Sequence, residues 1–472
     1  MPDHSLTLTQ KIMFLAVLSA IFLAAMDQTV VSTALPTIAR DLHGLAYLPW
    51  IVTAYLWTST VALPVYGKLG DMLGRKRMLW LAVAIFLLGS LLSGLSWSLP
   101  ALIAFRAFQG VGGGGILVIA IASIADFIPL EQRGRYQGLV GAAFGLATLV
   151  GPFLGGFLVE NLGWRWIFYV NVPFGLATLA IIGRAFPTVA PRPGSFDWIG
   201  ALALFLGLSA IILGLELHAN PPWSELLVAV MLLGFLLWWR QSGKVANPII
   251  HLHFFRYRTF WVSTLVSFFV GMAMLGTLSF LPTYYQEVRG LSPTQSGLQL
   301  LFLLAGMMAT SIWSGRWISK HQRFRAFPII GTFLTAVSLG MLTLLTAHTP
   351  FWQIHAALIL LGIGLGSTMQ VMILSAQWTL PHQHLGVATS TVSLFRSMGG
   401  TIAVAGFGTV FTRFIAQAQQ HGQDIPATIV HALHWDFAIA AGLIFLAFAA
   451  SWWLEELDVL KKRRAQHHSP SF

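Results

Sequence analysis

Gly67-Lys68-Leu69-Gly70-Asp71-Met72-Leu73-Gly74-Arg75-Lys76-Arg77 is a short basic stretch with three spaced glycines and one carboxylate. Apolar runs flank it at 46–66 and 78–97, each long enough to cross the hydrocarbon core of a bilayer. The stretch therefore reads as a tight loop between two membrane helices. Glycines lack a Cβ and let helix ends approach closely. Asp71 can cap a helix N-terminus or pair with an arginine. Arg75, Lys76 and Arg77 anchor the loop at one membrane face.

The bulk composition agrees. The chain of 472 residues is 56% hydrophobic and only 9% charged, with mean hydropathy +0.75. Soluble domains carry about 25% charged residues, and no water-soluble fold could cover this much apolar side chain. An integral membrane protein is the class that remains. The net charge of +11 belongs to topology-setting loops rather than to a nucleic-acid surface, so no nucleic-acid partner is expected. With no cysteine, thiolate metal sites, disulfides and thiol nucleophiles are excluded.

Working outward from the loop, apolar runs recur at 13–35, 46–66, 78–97, 100–123, 136–159, 164–183, 197–217, 223–239, 260–282, 294–315, 326–346, 351–374, 387–411 and 434–454, which makes fourteen spans. The first, after Lys11, is too long for a signal-peptide core and reads as a retained helix. The seventh and eighth flank Pro221-Pro222-Trp223 and also fit a re-entrant pair. With both termini cytoplasmic, 21 of the 27 basic residues fall on the inside, including Arg192 and the cluster 461–464. Four, Arg40, Arg165, Arg289 and Arg413, fall outside, and Arg106 and Arg396 lie within spans. That asymmetry is a positive-inside signal and requires an even number of spans.

The chain also repeats. Pro129-(x)4-Gly134 recurs as Pro381-(x)4-Gly386, and Gly110-Val-Gly-Gly-Gly as Gly362-Ile-Gly-Leu-Gly, both at an offset of 252. Leu35-Pro36 matches Leu281-Pro282, and the Gly67 loop has a weak echo after Gly315. Two parallel six-helix halves fit this pattern. The divisions are an N-terminal bundle over 1–190, two inserted helices with their linker over 191–250, and a C-terminal bundle over 251–472.

The Gly67–Arg77 loop resembles the signature between the second and third helices of the major facilitator superfamily. The resemblance implies an all-α integral membrane fold of two six-helix bundles plus two inserted helices, fourteen transmembrane helices in all. It also implies a gating role for Gly67, Asp71, Gly74, Arg75, Lys76 and Arg77, with Asp126 and Arg135 as partners. The second-half copy, Gly315-Arg316-Trp317-Ile318-Ser319-Lys320, lacks the carboxylate, so any latch should be asymmetric.

Four further stretches extend the likeness. Asp27, in Met26-Asp27-Gln28-Thr29-Val30-Val31-Ser32-Thr33-Ala34-Leu35-Pro36, reads as the only acid well within hydrocarbon depth. Burial disfavours its ionised form, so it suits either a proton carrier or a carboxylate held by fixed hydrogen bonds. The stretch is similar to the first-helix signature of the fourteen-helix drug:proton antiporters. Arg106, Gln109 and Gly113 share one helix face. Arg106 needs a cavity, water or an acid at that depth, either as a structural clamp or, as the resemblance implies, in proton transfer. Gly145, Gly151, Pro152, Gly155 and Gly156 form a kinked, close-packing helix that resembles the motif separating exporters from uptake symporters. Trp164-Arg165-Trp166-Ile167-Phe168-Tyr169-Val170-Asn171-Val172-Pro173 suits a membrane interface and resembles a sixth-helix signature of the same branch.

A polyspecific cavity wants aromatic and methionine surface with a few polar groups. Tyr55, Trp57, Gln109, Phe144, Met272, Gln299, Met369, Gln370 and Phe395 are candidates, each of which taken alone reads more simply as packing or lipid contact. Arg396 suits an anionic substrate group or a helix end. His251 and His253 have metal-like spacing but lie in a basic loop, so no metal is expected. No GxxxxGK phosphate loop and no placeable Ser-His-Asp set occurs, so the chain is not expected to be an enzyme.

The reading is a monomeric, multi-pass carrier in the cell membrane, with lipid around it and small-molecule substrates within it. The resemblance implies export of lipophilic, cationic drugs or toxins by proton antiport, with no cofactor beyond the coupling proton and an accessory subunit left open. Asp27 would exchange the proton and Arg106 would tune its proton affinity. The alternatives are a dedicated exporter of one metabolite (a sugar, siderophore or amino acid), a symporter, and a receptor or channel.

Overall fold

A computed structural model describes residues 6–42, 48–129, 132–191, 194–217, 222–421 and 424–456. Among them every regular element is helical. That is what lipid demands of open-chain segments, because a helix satisfies its own backbone donors and acceptors. The first half comprises α1 (Leu8–Asp41), α2 (Leu48–Leu73), α3 (Arg75–Gly94), α4 (Leu99–Phe127), α5 (Arg133–Asn161) and a broken α6, Trp166–Tyr169 with Asn171–Ala185. Then come α7 (Trp198–Leu217) and α8 (Trp223–Ser242). The second half comprises α9 (Arg258–Thr283, continued by a wider turn Tyr284–Val288), a broken α10 (Pro293–Gln299 with Leu301–His321), α11 (Ala326–Leu342), α12 (Phe351–Thr379), α13 (Leu385–His421) and α14 (Ile425–Ser451). Eleven of the described helical segments are long and apolar enough to cross a membrane, and 198–214 and 326–342 are shorter apolar helices.

Helix starts carry local signals. Thr7 and Ser292 form capping boxes with Gln10 and Gln295. Ser98 and Asp424 cap α4 and α14 just ahead of a proline in the first turn. These side chains satisfy backbone N–H groups that have no partner within the helix. Gly74 has φ +92°, a conformation that glycine adopts without strain, and there the chain reverses from α2 into α3.

Packing follows the repeat. In the first half, α4 lies against α2 and α3, and α1 against α5 and α6. In the second, α9 packs on α13, and α12 on α10 and α11. The halves meet at two seams, α2 with α13 and α5 with α10. The inserted α7 and α8 pack on each other, and α7 touches both α2 and α13. The Trp57 indole N–H donates to Ser209 Oγ of α7 at 2.9 Å.

The span limits differ from hydropathy at the ends. The last helix begins at Ile425 rather than near 434, and α13 runs to His421 rather than 411. Polar and aromatic residues continue these helices past the apolar core. Arg192, Pro221 and the cluster 461–464 lie outside the described residues.

Candidate functional site

Asp27 sits in α1 and Arg106 in α4, each 1% exposed. Arg106 Nη1 donates to Asp27 Oδ2 at 2.7 Å and to Gln109 Oε1 at 2.6 Å. Asp27 Oδ1 accepts from Gln109 Nε2 at 2.9 Å and from Asn171 Nδ2 at 2.8 Å. Arg106 Nε reaches the Ile51 carbonyl at 3.3 Å, and its guanidinium lies 4.3 Å above the Tyr55 ring. The three side chains in contact with the Asp27 oxygens, Arg106, Gln109 and Asn171, all donate to them, so the cluster as drawn is matched to the ionised carboxylate. A buried ion pair offsets its desolvation only when its remaining lone pairs and protons are satisfied in this way.

The helix spacing explains how α4 delivers two of these groups. Arg106 and Gln109 are three residues apart and therefore share a face. Close approach by α2 is possible because α4 is glycine-rich; a Cβ on Gly110 or Gly114 would overlap backbone of α2 at Tyr55 or Ser59. Asn171, at the break in α6, is the member that sequence reasoning did not single out. Its Nδ2 also donates to Ser90 Oγ of α3 at 3.0 Å.

A second constellation lies at the Gly67–Arg77 stretch, where the expected loop is reduced to Gly74, since α2 runs through Leu73 and α3 starts at Arg75. Arg75 pairs with Asp71, and its Nε donates to Asp126 Oδ2 at 3.1 Å. Asp71 also crosses to the second half, where its two oxygens accept the backbone N–H groups of Gly386 at 2.9 Å and Val387 at 3.0 Å. These donors belong to the first turn of α13, where backbone N–H groups are free and the helix dipole favours an anion. The side chain of His382 approaches Asp126 at 3.5 Å. Lys76 lines a cavity of about 270 Å³ beside this network, and Arg77 is exposed.

Arg135 does not join it. Its guanidinium lies 5.8 Å from the Tyr136 ring, and its backbone N–H donates to Ser319 Oγ of α10 at 2.8 Å. Of the two expected partners of the Gly67–Arg77 stretch, Asp126 is thus joined to it through Arg75 and Arg135 is not.

The seam glycines sit at matched positions. A Cβ on Gly67 would lie 2.7 Å from the Gly386 carbonyl oxygen, and one on Gly134 would lie 2.9 Å from that of Gly315. Ser311 Oγ adds a hydrogen bond to the Gly138 carbonyl at 3.1 Å. The repeated Pro-(x)4-Gly element thus places Gly386 on one seam and Gly134 on the other, and both seams are closed at the Gly67 end.

The α5 glycines divide their tasks. Gly145 faces Met308 of α10, and Gly151 faces Thr29 of α1. Pro152 is exposed, Gly155 is buried, and Gly156 has open space around it.

The cavity candidates have different surroundings. Tyr55 and Gln109 belong to the Asp27 cluster. Trp57 is bound to α7 as described above, and Gln299 Oε1 is 2.6 Å from His355 Nε2. Phe144 is half-buried against the α1–α5 core, and Phe395 stands 6.2 Å from the Phe255 ring. Met272, Met369 and Gln370 are buried, and Gln370 Oε1 lacks a hydrogen-bond partner. Arg396 is half-buried with Nη1 unpartnered. Rings of His251 and His253 are 6.5 Å apart, and no group of three metal-ligating side chains occurs among the described residues.

Asp27 is not the only buried acid. Asp436 of α14 is 1% exposed as well. The hydropathy limits placed it at a helix start, whereas α14 begins eleven residues earlier, at Ile425.

Two helical halves joined at two seams around a buried charge cluster are the architecture of an integral membrane carrier. The chain belongs to the Major Facilitator Superfamily, whose sequence profile matches residues 17–404. It is 39% identical over 415 residues to an uncharacterized MFS-type transporter of Mycobacterium tuberculosis, covering 86% of this chain and 60% of that one. It therefore spans about three-fifths of that relative's length. It is 34% identical to the multidrug transporter protein MdtP of Bacillus subtilis over 83% of this chain and 73% of the relative. Multidrug resistance protein 3 of the same organism is 33% identical, over 85% and 80%. The proton:xylose symporter XylE superposes with TM-score 0.70 at 15% identity, covering 96% of this chain and 98% of that one. The human organic anion transporter MFSD10 gives 0.69 at 15%, over 94% and 99%. At those identities the structural likeness speaks for the fold alone.

Proposed function

We propose that this transporter exports lipophilic, cationic compounds in exchange for protons by alternating access. The Asp27–Arg106 pair carries the reading. A carboxylate held by donors alone is satisfied when ionised; a proton on it would displace one donor and loosen Arg106. That gives two arrangements of one cluster, which a proton can select between. Two relatives named as multidrug proteins support drugs as the cargo.

The halves 1–190 and 251–472 would rock about the midplane, with 191–250 spanning one seam. The basic Gly67 loop is assigned to the cytoplasm of a cell-membrane protein with both termini inside. In this conformation the cytoplasmic side is closed by Asp71 on one seam and by Gly134 with Gly315 on the other. Protonation of Asp27 from outside would then precede reopening inward. We take the carrier as a monomer that needs no cofactor beyond the proton.

The test uses the full chain in liposomes, an imposed pH gradient and ethidium as substrate. The expected result is saturable, gradient-driven ethidium flux that Asp27→Asn abolishes while the protein stays folded. Wild-type proton-driven flux in Asp27→Asn would overturn the reading.

A further inference from the structure

Asp436 belongs to none of the constellations above. It is 1% exposed, and both of its carboxylate oxygens lack a hydrogen-bond partner. α13 starts at the Gly67 end, so α14 returns from the opposite end. Asp436 lies eleven residues into it, about 16 Å along the axis at 1.5 Å per residue.

Neighbouring contacts set its level. The Glu455 backbone N–H donates to Thr259 Oγ1 of α9 at 3.3 Å. Counting nineteen residues back from Glu455 reaches Asp436, and nineteen on from Thr259 reaches Leu278, next to Thr277. At the rim, the His434 ring meets the Leu345 carbonyl in the loop after α11. Asp436 is therefore in the half of the second bundle away from the Gly67 loop, just below that rim.

The elements packed on α14 are α9, its wide terminal turn, α11 and α13. α11 carries no ionisable side chain. α9 contributes Arg258, at its Gly67 end, and the turn contributes Tyr284, Tyr285 and exposed Glu287. α13 contributes Arg396, Arg413 and His421. On α14 itself are His431, whose ring meets Phe414 at 5.2 Å, and His434. Tyr284 donates to the Thr346 carbonyl at 2.7 Å. None of these groups donates to Asp436, whereas three donors surround Asp27. Thr277 Oγ1, at the level of Asp436, and the Tyr285 hydroxyl also lack partners.

An ionised carboxylate buried without a donor is costly and neutralises instead. The second half thus holds an acid in surroundings opposite to those of Asp27. We propose that Asp436 is a second proton-binding carboxylate of the transport cycle, loaded from the side opposite the Gly67 loop. Water on that side would supply the proton to a carboxylate oxygen. Its release to water would require α9 and α14 to shift and offer a donor, for which Thr277 and Tyr285 are placed. The inference rests on the antiport reading and adds a second coupling site to it.

Full-length protein in liposomes, with ethidium as substrate and an entrapped pH dye, counts protons moved per ethidium. Asp436→Asn is expected to lower that ratio while Asp436→Glu restores it, and Asp27→Asn is expected to abolish coupled flux. Infrared difference spectra of wild type between acid and neutral pH should show a protonated-carboxyl stretch that Asp436→Asn removes and Asp27→Asn retains. If Asp436→Asn does not fold, Asp436→Glu decides the matter by shifting that band. An unchanged ratio together with an unchanged spectrum overturns the proposal. If Asp27→Asn also keeps full coupling, the antiport reading falls as well; if it does not, only this inference falls.

Discussion

The Asp71 carboxylate accepts the Gly386 backbone N–H at 2.9 Å across 315 residues of chain. One side chain from the end of α2 thereby closes the first turn of a helix in the other half. Two glycines make this possible: Gly67, within α2, allows contact with α13, and Gly74 turns the chain so that Arg75 can steady Asp71. The latch is asymmetric because the matched seam at Gly134 and Gly315 is held by close backbone approach and serine hydrogen bonds, without a carboxylate.

Removing the charge should loosen the latch. Hydrogen bonds to charged groups contribute about 1.5–3 kcal/mol, so Asp71→Asn is expected to shift the closed-to-open ratio at the Gly67 end by about 10- to 100-fold. Distances between spin labels on the two halves at that end would show it. An unchanged distance distribution would mean that Asp71 does not hold the seam.

Bulk at either seam should act the same way. Gly67→Val and Gly315→Val each place a branched side chain against backbone of the opposite half, and both are expected to favour opening at this end. Gly156→Ala, where open space surrounds the glycine, is the control and should leave the distances unchanged. Opposite effects from the two seam variants would contradict the paired arrangement.

The Asp27–Arg106 pair invites a mutant cycle. Breaking a buried pair by removing one partner costs about 3–5 kcal/mol, and Arg106→Ala leaves Asp27 buried with fewer donors. Thermal stability in detergent should fall steeply in Arg106→Ala and recover in part when Asp27→Asn is added. Simple additivity of the two changes would show that the groups are not coupled.

His251, in the loop before α9, gives a pH signature. Burial, followed by Lys68, His384 and His253, lowers its pKa from 6.5 to about 4. Between those values the unfolded chain binds a proton that the folded protein does not, so stability is present above pH 6.5 and is lost as pH falls toward 4. The His251 side chain is half-exposed, and solvent screening reduces the effect. His251→Gln should flatten the dependence of melting temperature on pH over that window. An equally steep wild-type and variant profile would place the titration elsewhere.

Much of this protein was legible before any coordinates. Hydropathy and charge bias are properties of the linear chain, and lipid permits few alternatives to a helix at each apolar run. Hence the helical segments, the internal repeat and the candidacy of Asp27, Arg106 and the Gly67–Arg77 stretch could be read directly. The repeat also contained the seams, since Gly134 and Gly386 match at a fixed offset.

What remained was partner choice. Nothing local shows that Asp71 meets backbone N–H groups of α13, that Asn171 completes the Asp27 cluster, or that Asp126 joins the Arg75 network while Arg135 does not. Nor does hydropathy reveal that Asp436 is buried deep in a helix, because α14 begins in a mixed polar stretch before its apolar core. The sequence by itself determined which segments enter the membrane, since that depends on summed transfer energy along the chain. Only the tertiary structure decided which buried charge finds a donor, since that depends on how each helix is rotated and which neighbour it faces.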